Sequence, residues 1–211
     1  INKDKKLKFF KTHNLLGAID NNKFTNQQNS IGAIYVVRDP RNVISSLQNH
    51  YELDKEEALK FMLNEKKFIH NNKLKDDFSD FQFISSWEKN YKSWKYQNNF
   101  PIKIIKYEDL NKKTYEIFKE IINFIDQIRG IKNNFQKIKA KNSVESTNFD
   151  KMKKIENSDG FVESVSSKKN NTEIPFFHLG PKNNWKNIFD KNFQKKLNIH
   201  FKNGLEELGY N

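Results

Sequence analysis

The chain has 211 residues, 36% hydrophobic and 14% aromatic, with a formal net charge of +12. That length and apolar content suit a single folded domain over residues 1–211 rather than a disordered chain, and no apolar run approaches the roughly 18–20 residues that span a bilayer. Zero cysteines exclude disulfides and thiolate metal sites, and the five histidines show no paired ligand spacing, so no metal is expected.

Leu7–His13 ("LKFFKTH") reads as a first buried strand and Ile31–Val37 ("IGAIYVV") as a second. A helix is predicted from Lys55 to about Asn71. Trp87, Tyr91 and Trp94, at i, i+4 and i+7, mark another, with Ser85 or Ser86 as N-cap. Ile102–Tyr107 ("IKIIKY") is a third strand, and Ile117, Phe118, Ile121, Ile122 and Ile125 give a further helical stripe. Residues 156–174 are polar and aperiodic and predict a long loop. A last helix runs from about Asp190 to Leu208 and stops at Gly209. Strands alternating with helices predict an α/β fold, a parallel sheet flanked by helices.

The chain begins with Ile, and "KLKFFKTH" reads as a strand already under way, which predicts a missing upstream segment. "INKDKKLKFF" lacks a signal-peptide layout, so a cytoplasmic location is expected. Most of the lysines read as solvated surface. The functional reading of the charge is an anionic partner: nucleotide, nucleic acid or acidic membrane.

Of the 38 basic residues only three are arginine, and two of them, Arg38 and Arg41, fall within four residues in "YVVRDPRNVISSLQNHY". "IYVV" ends a strand, Asp39 is a natural N-cap, and Pro40 fits the first helical position. Arg38 thus leaves the C-terminal edge of a strand where a helix begins, which is where open α/β sheets bind ligands and where free N–H groups favour an anion. Ser46, seven residues after Asp39, returns to nearly the same helical face. Two readings stay open here: a phosphate clamp built on the bidentate arginine fork, or a structural Arg–Asp pair bracing the helix start.

"RDPRNVISS" resembles the 3′-phosphate motif of the sulfotransferases that use 3′-phosphoadenosine 5′-phosphosulfate (PAPS), with Arg38 and Ser46 in place. "FFKTHNL" is similar to the family's Lys-Thr-His strand end, which implies His13 as catalytic base and Lys11 beside the reacting centre. "IIKYEDL" resembles the strand end whose tyrosine packs against adenine, here Tyr107. "STNFDKMKKIE" is similar to the segment closing over the adenosine, implying Thr147, Phe149 and Met152. "FFHLGPKNNWKNIF" resembles the loop over the 3′-phosphate, implying Gly180, Trp185 and Lys186. His178 stands where the family has arginine, so that contact is weaker or depends on protonation. "EELGY" at the end is similar to bacterial members.

The resemblance covers Leu7 to Tyr210 and implies the P-loop nucleotide-kinase-like fold of this family. It also implies sulfuryl transfer from PAPS, as co-substrate without a metal, to a small-molecule, glycan or lipid hydroxyl or amine. The family's 5′-phosphosulfate loop, Tyr-Pro-Lys-Ser-Gly-Thr-Thr, has no match in residues 1–10, so the sequence predicts an N-terminally truncated piece, inactive alone. The competing readings are a basic nucleic-acid-binding domain, against which the periodic spacing of the aromatics speaks, and a catalytically inactive PAPS-binding relative. Acceptor specificity is expected from Asn14–Ser30, the helix after Tyr51 and residues 156–174; the sequence names neither the acceptor nor an oligomeric state.

Overall fold

The structure, a computed structural model, describes residues 6–70, 81–132, 135–167, 169–170 and 172–210. The elements in chain order are β1 (Ala18–Ile19), β2 (Asn22–Lys23), β3 (Ala33–Val37), α1 (Pro40–Tyr51), α2 (Lys55–Leu63), β4 (Phe68–Ile69), β5 (Gln82–Phe83), α3 (Trp87–Lys95), β6 (Ile102–Lys106), α4 (Tyr107–Lys112), α5 (Thr114–Ile128), α6 (Lys137–Ser146), α7 (Phe149–Asp159), β7 (Val165–Ser166), β8 (Glu173–Ile174), α8 (Trp185–Ile188), α9 (Lys191–His200) and α10 (Lys202–Leu208).

The expected α/β architecture is present. β3 and β6 pair in parallel, with Ala33 opposite Ile102 and Val37 opposite Lys106. β-branched residues dominate both strands, as strand propensity favours. Tyr35 on β3 donates its hydroxyl proton to Asn90 of α3, whereas Lys103 of β6, in register with Ile34, pairs with Glu120 of α5. Side chains alternate across a strand, so α3 and α5 lie on opposite faces of the pair. Among the described residues the other strand pairs are two-residue antiparallel ribbons: β1–β2, β4–β5 and β7–β8.

Four sequence expectations are corrected. Leu7–His13 is not a strand. Beyond it, residues 13–16 take their bonds mostly from side chains: His13 N–H donates to Gln82 Oε1, Asn90 donates to the His13 carbonyl, Trp94 Nε1–H donates to the Asn14 carbonyl, and Leu16 N–H donates to Ser93. Extended backbone satisfied in this way has no ladder to join. The helix expected to reach Asn71 ends at Leu63, and Phe68–Ile69 pairs with Gln82–Phe83; residue 71 lies outside the described residues. The loop expected over 156–174 begins with the last turn of α7 and contains the β7–β8 ribbon. The final helix breaks at buried Phe201, whose ring meets Trp87 edge-on, while Gly204 lets Trp87 approach to where a Cβ would stand 2.5 Å from its ring. The caps at Asp39, Ser86 and Gly209 are as expected.

The core gathers α1, α2, α3 and the C-terminal helices around Ile44, Leu59, Tyr91, Leu197 and Phe201. It fixes α1 against the end of β3, and so fixes the turn that carries Arg38.

Candidate active site

Register builds the site. Val37 and Lys106 are the last paired residues of β3 and β6, so Arg38 and Tyr107 leave neighbouring strands side by side. The Arg38 guanidinium carbon lies 4.3 Å from the centre of the Tyr107 ring, a cation–π stack. Its Nη1 donates to Ser46 Oγ at 3.4 Å and its Nη2 to the Gly180 carbonyl at 3.2 Å. Its Nε is buried without a partner. Loss of hydration lowers the pKa of this guanidinium, opposed by Tyr107, Glu108, Asp39 and Tyr210; arginine keeps its charge in any such setting. Gly180 sits at φ +52°, and a Cβ there would come within 2.1 Å of the Phe149 ring, so only glycine admits this approach of loop and ring.

Glu108 anchors the turn from below. It accepts the Asp39 N–H at 3.1 Å and the Tyr210 hydroxyl at 3.0 Å. The structural Arg–Asp pair also exists, but it belongs to Arg41. Asp39 accepts from Arg41 Nε and Nη2, both residues are buried, and the Arg41 guanidinium lies 4.2 Å over the Trp185 ring. The brace is thus made by Arg41, while Arg38 turns instead to Ser46 and the Gly180 carbonyl.

The structure brings Arg38, Ser46, Tyr107, Gly180 and Phe149 together. It places Trp185 in the core on Arg41, and Lys186 exposed with its ammonium 5.7 Å from the Trp185 ring. Thr147 caps α6 by donating to the Ser143 carbonyl. Met152 lies half-buried on α7, and exposed His178 accepts from Lys153 through its carbonyl. Asn183 and Asn42, which the sequence did not single out, weld the Gly180–Trp185 segment to α1: Asn183 Nδ2 donates to the Asn42 carbonyl, and Asn42 Oδ1 accepts the Trp185 N–H. Nothing local in the sequence marks contacts across some 140 residues; Glu108, by contrast, stands next to Tyr107 in "YED".

A second cluster surrounds His13. Lys11 is held by both carboxylate oxygens of Glu163 at 2.5 and 2.6 Å. Lost hydration and the Lys11 charge lower the His13 pKa, while Glu163 raises it. His50 of α1 is similarly lowered by lost hydration, with Glu163 raising and His13 lowering its value, so the two imidazoles and the carboxylate share one field. His50 meets Phe176 edge-on, and Phe176, Phe161, Phe177 and Phe149 form an aromatic row back to Gly180.

Glu156 clasps the segment between the two clusters. It is buried and accepts from Ser164 Oγ–H and from the N–H groups of Phe176 and Phe177. Glu156→Ala removes the acceptor of the Phe176 and Phe177 N–H groups, each costing about 1–3 kcal/mol if it stays buried. The expected result is at least tenfold faster amide exchange at Phe176 and Phe177; unchanged protection would show the clasp to be redundant.

Among the described residues no helix is long and apolar enough to cross a membrane, and no three acidic or histidine side chains are grouped to hold a metal. These observations define a parallel α/β protein with an arginine-centred cradle at the C-terminal edge of its strands. The chain belongs to the sulfotransferase family: the family model described as "Sulfotransferase domain" matches residues 1–209. No curated protein matches it. Among solved structures it is similar to mouse sulfotransferase SULT7A1 complexed with PAP, with a TM-score of 0.51 and 21% identity over 82% of this chain. That likeness is one of fold, and this chain spans 58% of the mouse protein's length. Family membership favours the enzyme over the nucleic-acid-binding reading.

Proposed function

We propose that this protein transfers a sulfuryl group from PAPS to a hydroxyl or amine of a small-molecule, glycan or lipid acceptor. Arg38 carries the reading. A half-buried cation whose Nη groups meet only neutral oxygens, and whose Nε meets nothing, is suited to an anion. The 3′-phosphate would complete that fork together with Ser46, which is what distinguishes this nucleotide from one without it. Tyr107 and Phe149 would flank the adenine, with Thr147 and Met152 on the same closing segment and His178, Gly180, Trp185 and Lys186 on the covering loop. PAPS supplies the sulfuryl group and leaves as adenosine 3′,5′-bisphosphate.

His13 would take the acceptor proton. With its pKa lowered by lost hydration and by Lys11, its imidazole is neutral at neutral pH, as a general base must be. Lys11 would exchange a Glu163 oxygen for the charge that develops on the sulfuryl group or the leaving phosphate.

The test is a thermal-shift comparison at equal nucleotide concentration. Adenosine 3′,5′-bisphosphate should raise Tm more than adenosine 5′-monophosphate, and Arg38→Lys should narrow the gap, because an ammonium cannot reproduce the fork. Equal shifts in the unaltered protein would overturn the 3′-phosphate assignment.

A further inference from the structure

Ser46 sits in the middle of α1, where a serine ordinarily gives its proton to the carbonyl four residues back, here that of Asn42. That bond is long, 3.4 Å. The Asn42 carbonyl instead accepts Asn183 Nδ2 at 2.9 Å. A carbonyl cannot donate, so the Asn183 group facing it must be the NH2, which fixes the orientation of the amide. The Asn183 Oδ1 then faces Ser45 Oγ at 2.7 Å, whose one proton is shared between this oxygen and the Asn42 carbonyl at 2.9 Å. The same NH2 reaches Ser46 Oγ at 3.2 Å, and Arg38 Nη1, which can only donate, reaches it at 3.4 Å.

A hydroxyl has two lone pairs and one proton. At Ser46 both lone pairs face donors, and the internal acceptor for its proton, the Asn42 carbonyl, has Asn183 Nδ2 and Ser45 Oγ both at 2.9 Å, closer than Ser46 Oγ at 3.4 Å. We infer that Asn183 is a positioning residue for phosphate recognition: by donating to Ser46 Oγ and filling the Asn42 carbonyl, it turns the Ser46 proton outward, toward an anion on the Arg38 fork. The inference rests on the reading of that fork as the 3′-phosphate site. Asn183 is itself buried and belongs to none of the segments' expected contact residues. It acts only through the hydroxyl.

The decisive quantity is a selectivity ratio, the Kd of adenosine 5′-monophosphate divided by that of adenosine 3′,5′-bisphosphate, measured by titration calorimetry. Ser46→Ala should lower the ratio about tenfold, the effect of one hydrogen bond to a charged group. Asn183→Ala should lower it about three- to tenfold, and in a Ser46→Ala background it should change the ratio no further. Asn183→Asp keeps the side-chain shape but replaces the donor with an acceptor that draws the Ser46 proton inward; its ratio should fall below that of the alanine variant. A folded Asn183→Ala or Asn183→Asp protein with the parental ratio would overturn the inference, as would an equal loss with and without Ser46. A parental ratio near one would instead overturn the 3′-phosphate reading itself.

Discussion

His13→Ala is expected to lower the rate of sulfuryl transfer by about 10²–10⁴-fold, the usual contribution of a general base, and to leave nucleotide affinity within a factor of two. Binding is expected to survive because the bonds that hold this segment are made by the His13 backbone, N–H to Gln82 and carbonyl from Asn90, and alanine keeps both. Single-turnover rates measure it, and an alanine variant within about threefold of the parent would remove His13 from the mechanism. The acid limb of the rate profile should lie below the ordinary imidazole range, since lost hydration and Lys11 both disfavour the imidazolium. Glu163 opposes them, so Glu163→Gln should move that limb to still lower pH; movement to higher pH would contradict the assigned field.

Asp39→Ala is expected to be the most destabilising single change at the site. Removing one partner of a buried ion pair typically costs about 3–5 kcal/mol, because the other charge is left uncompensated. Arg41 would keep only Asn198 and the Trp185 ring. The N-cap bond from Asp39 to the Arg41 N–H is lost as well. Against a net stability of about 5–15 kcal/mol this is a large fraction. Asp39→Ser combined with Arg41→Met keeps a cap and removes both charges, and should recover most of the loss. Urea unfolding midpoints decide the matter: a loss under about 1 kcal/mol for Asp39→Ala would mean that Asn198 and Trp185 hold Arg41 unaided.

What the sequence made legible was local. "IYVVRDPRN" holds a strand, a cap, a proline and a helix start within nine residues, and each is where the pattern put it. The Ser86 cap and the α5 stripe were legible for the same reason, since propensity and period act over a few residues. Leu7–His13 failed because apolar, β-rich composition does not say whether a neighbouring strand is present to bond, and here side chains of α3 and β5 do that work for the residues that follow. The break at Phe201 was hidden because it is set by Trp87 from a distant helix. Arg38 and Ser46 were readable from their spacing, and the structure joins them. Asn183, Glu156 and Glu163 were not, because each acquires its meaning from partners that only the fold supplies. Trp185 and Arg41 show the reverse case: residues in a motif whose observed contacts are with the core.

The cradle is assembled from pieces far apart in the chain. Asp39 meets Glu108 across 69 residues, and Arg38 meets the Gly180 carbonyl across 142. Long closures of this kind are slow, since their entropy is lost before the contacts that reward them form. During synthesis the arginine turn therefore leaves the ribosome long before its Gly180 partner exists, and a chain folded only through its first hundred residues presents Arg38 without the walls of its pocket. The assembled Arg38 cradle is in this sense a certificate of completed folding: it is issued only when the β3–β6 register, the C-terminal helices and the Gly180 loop are all in place.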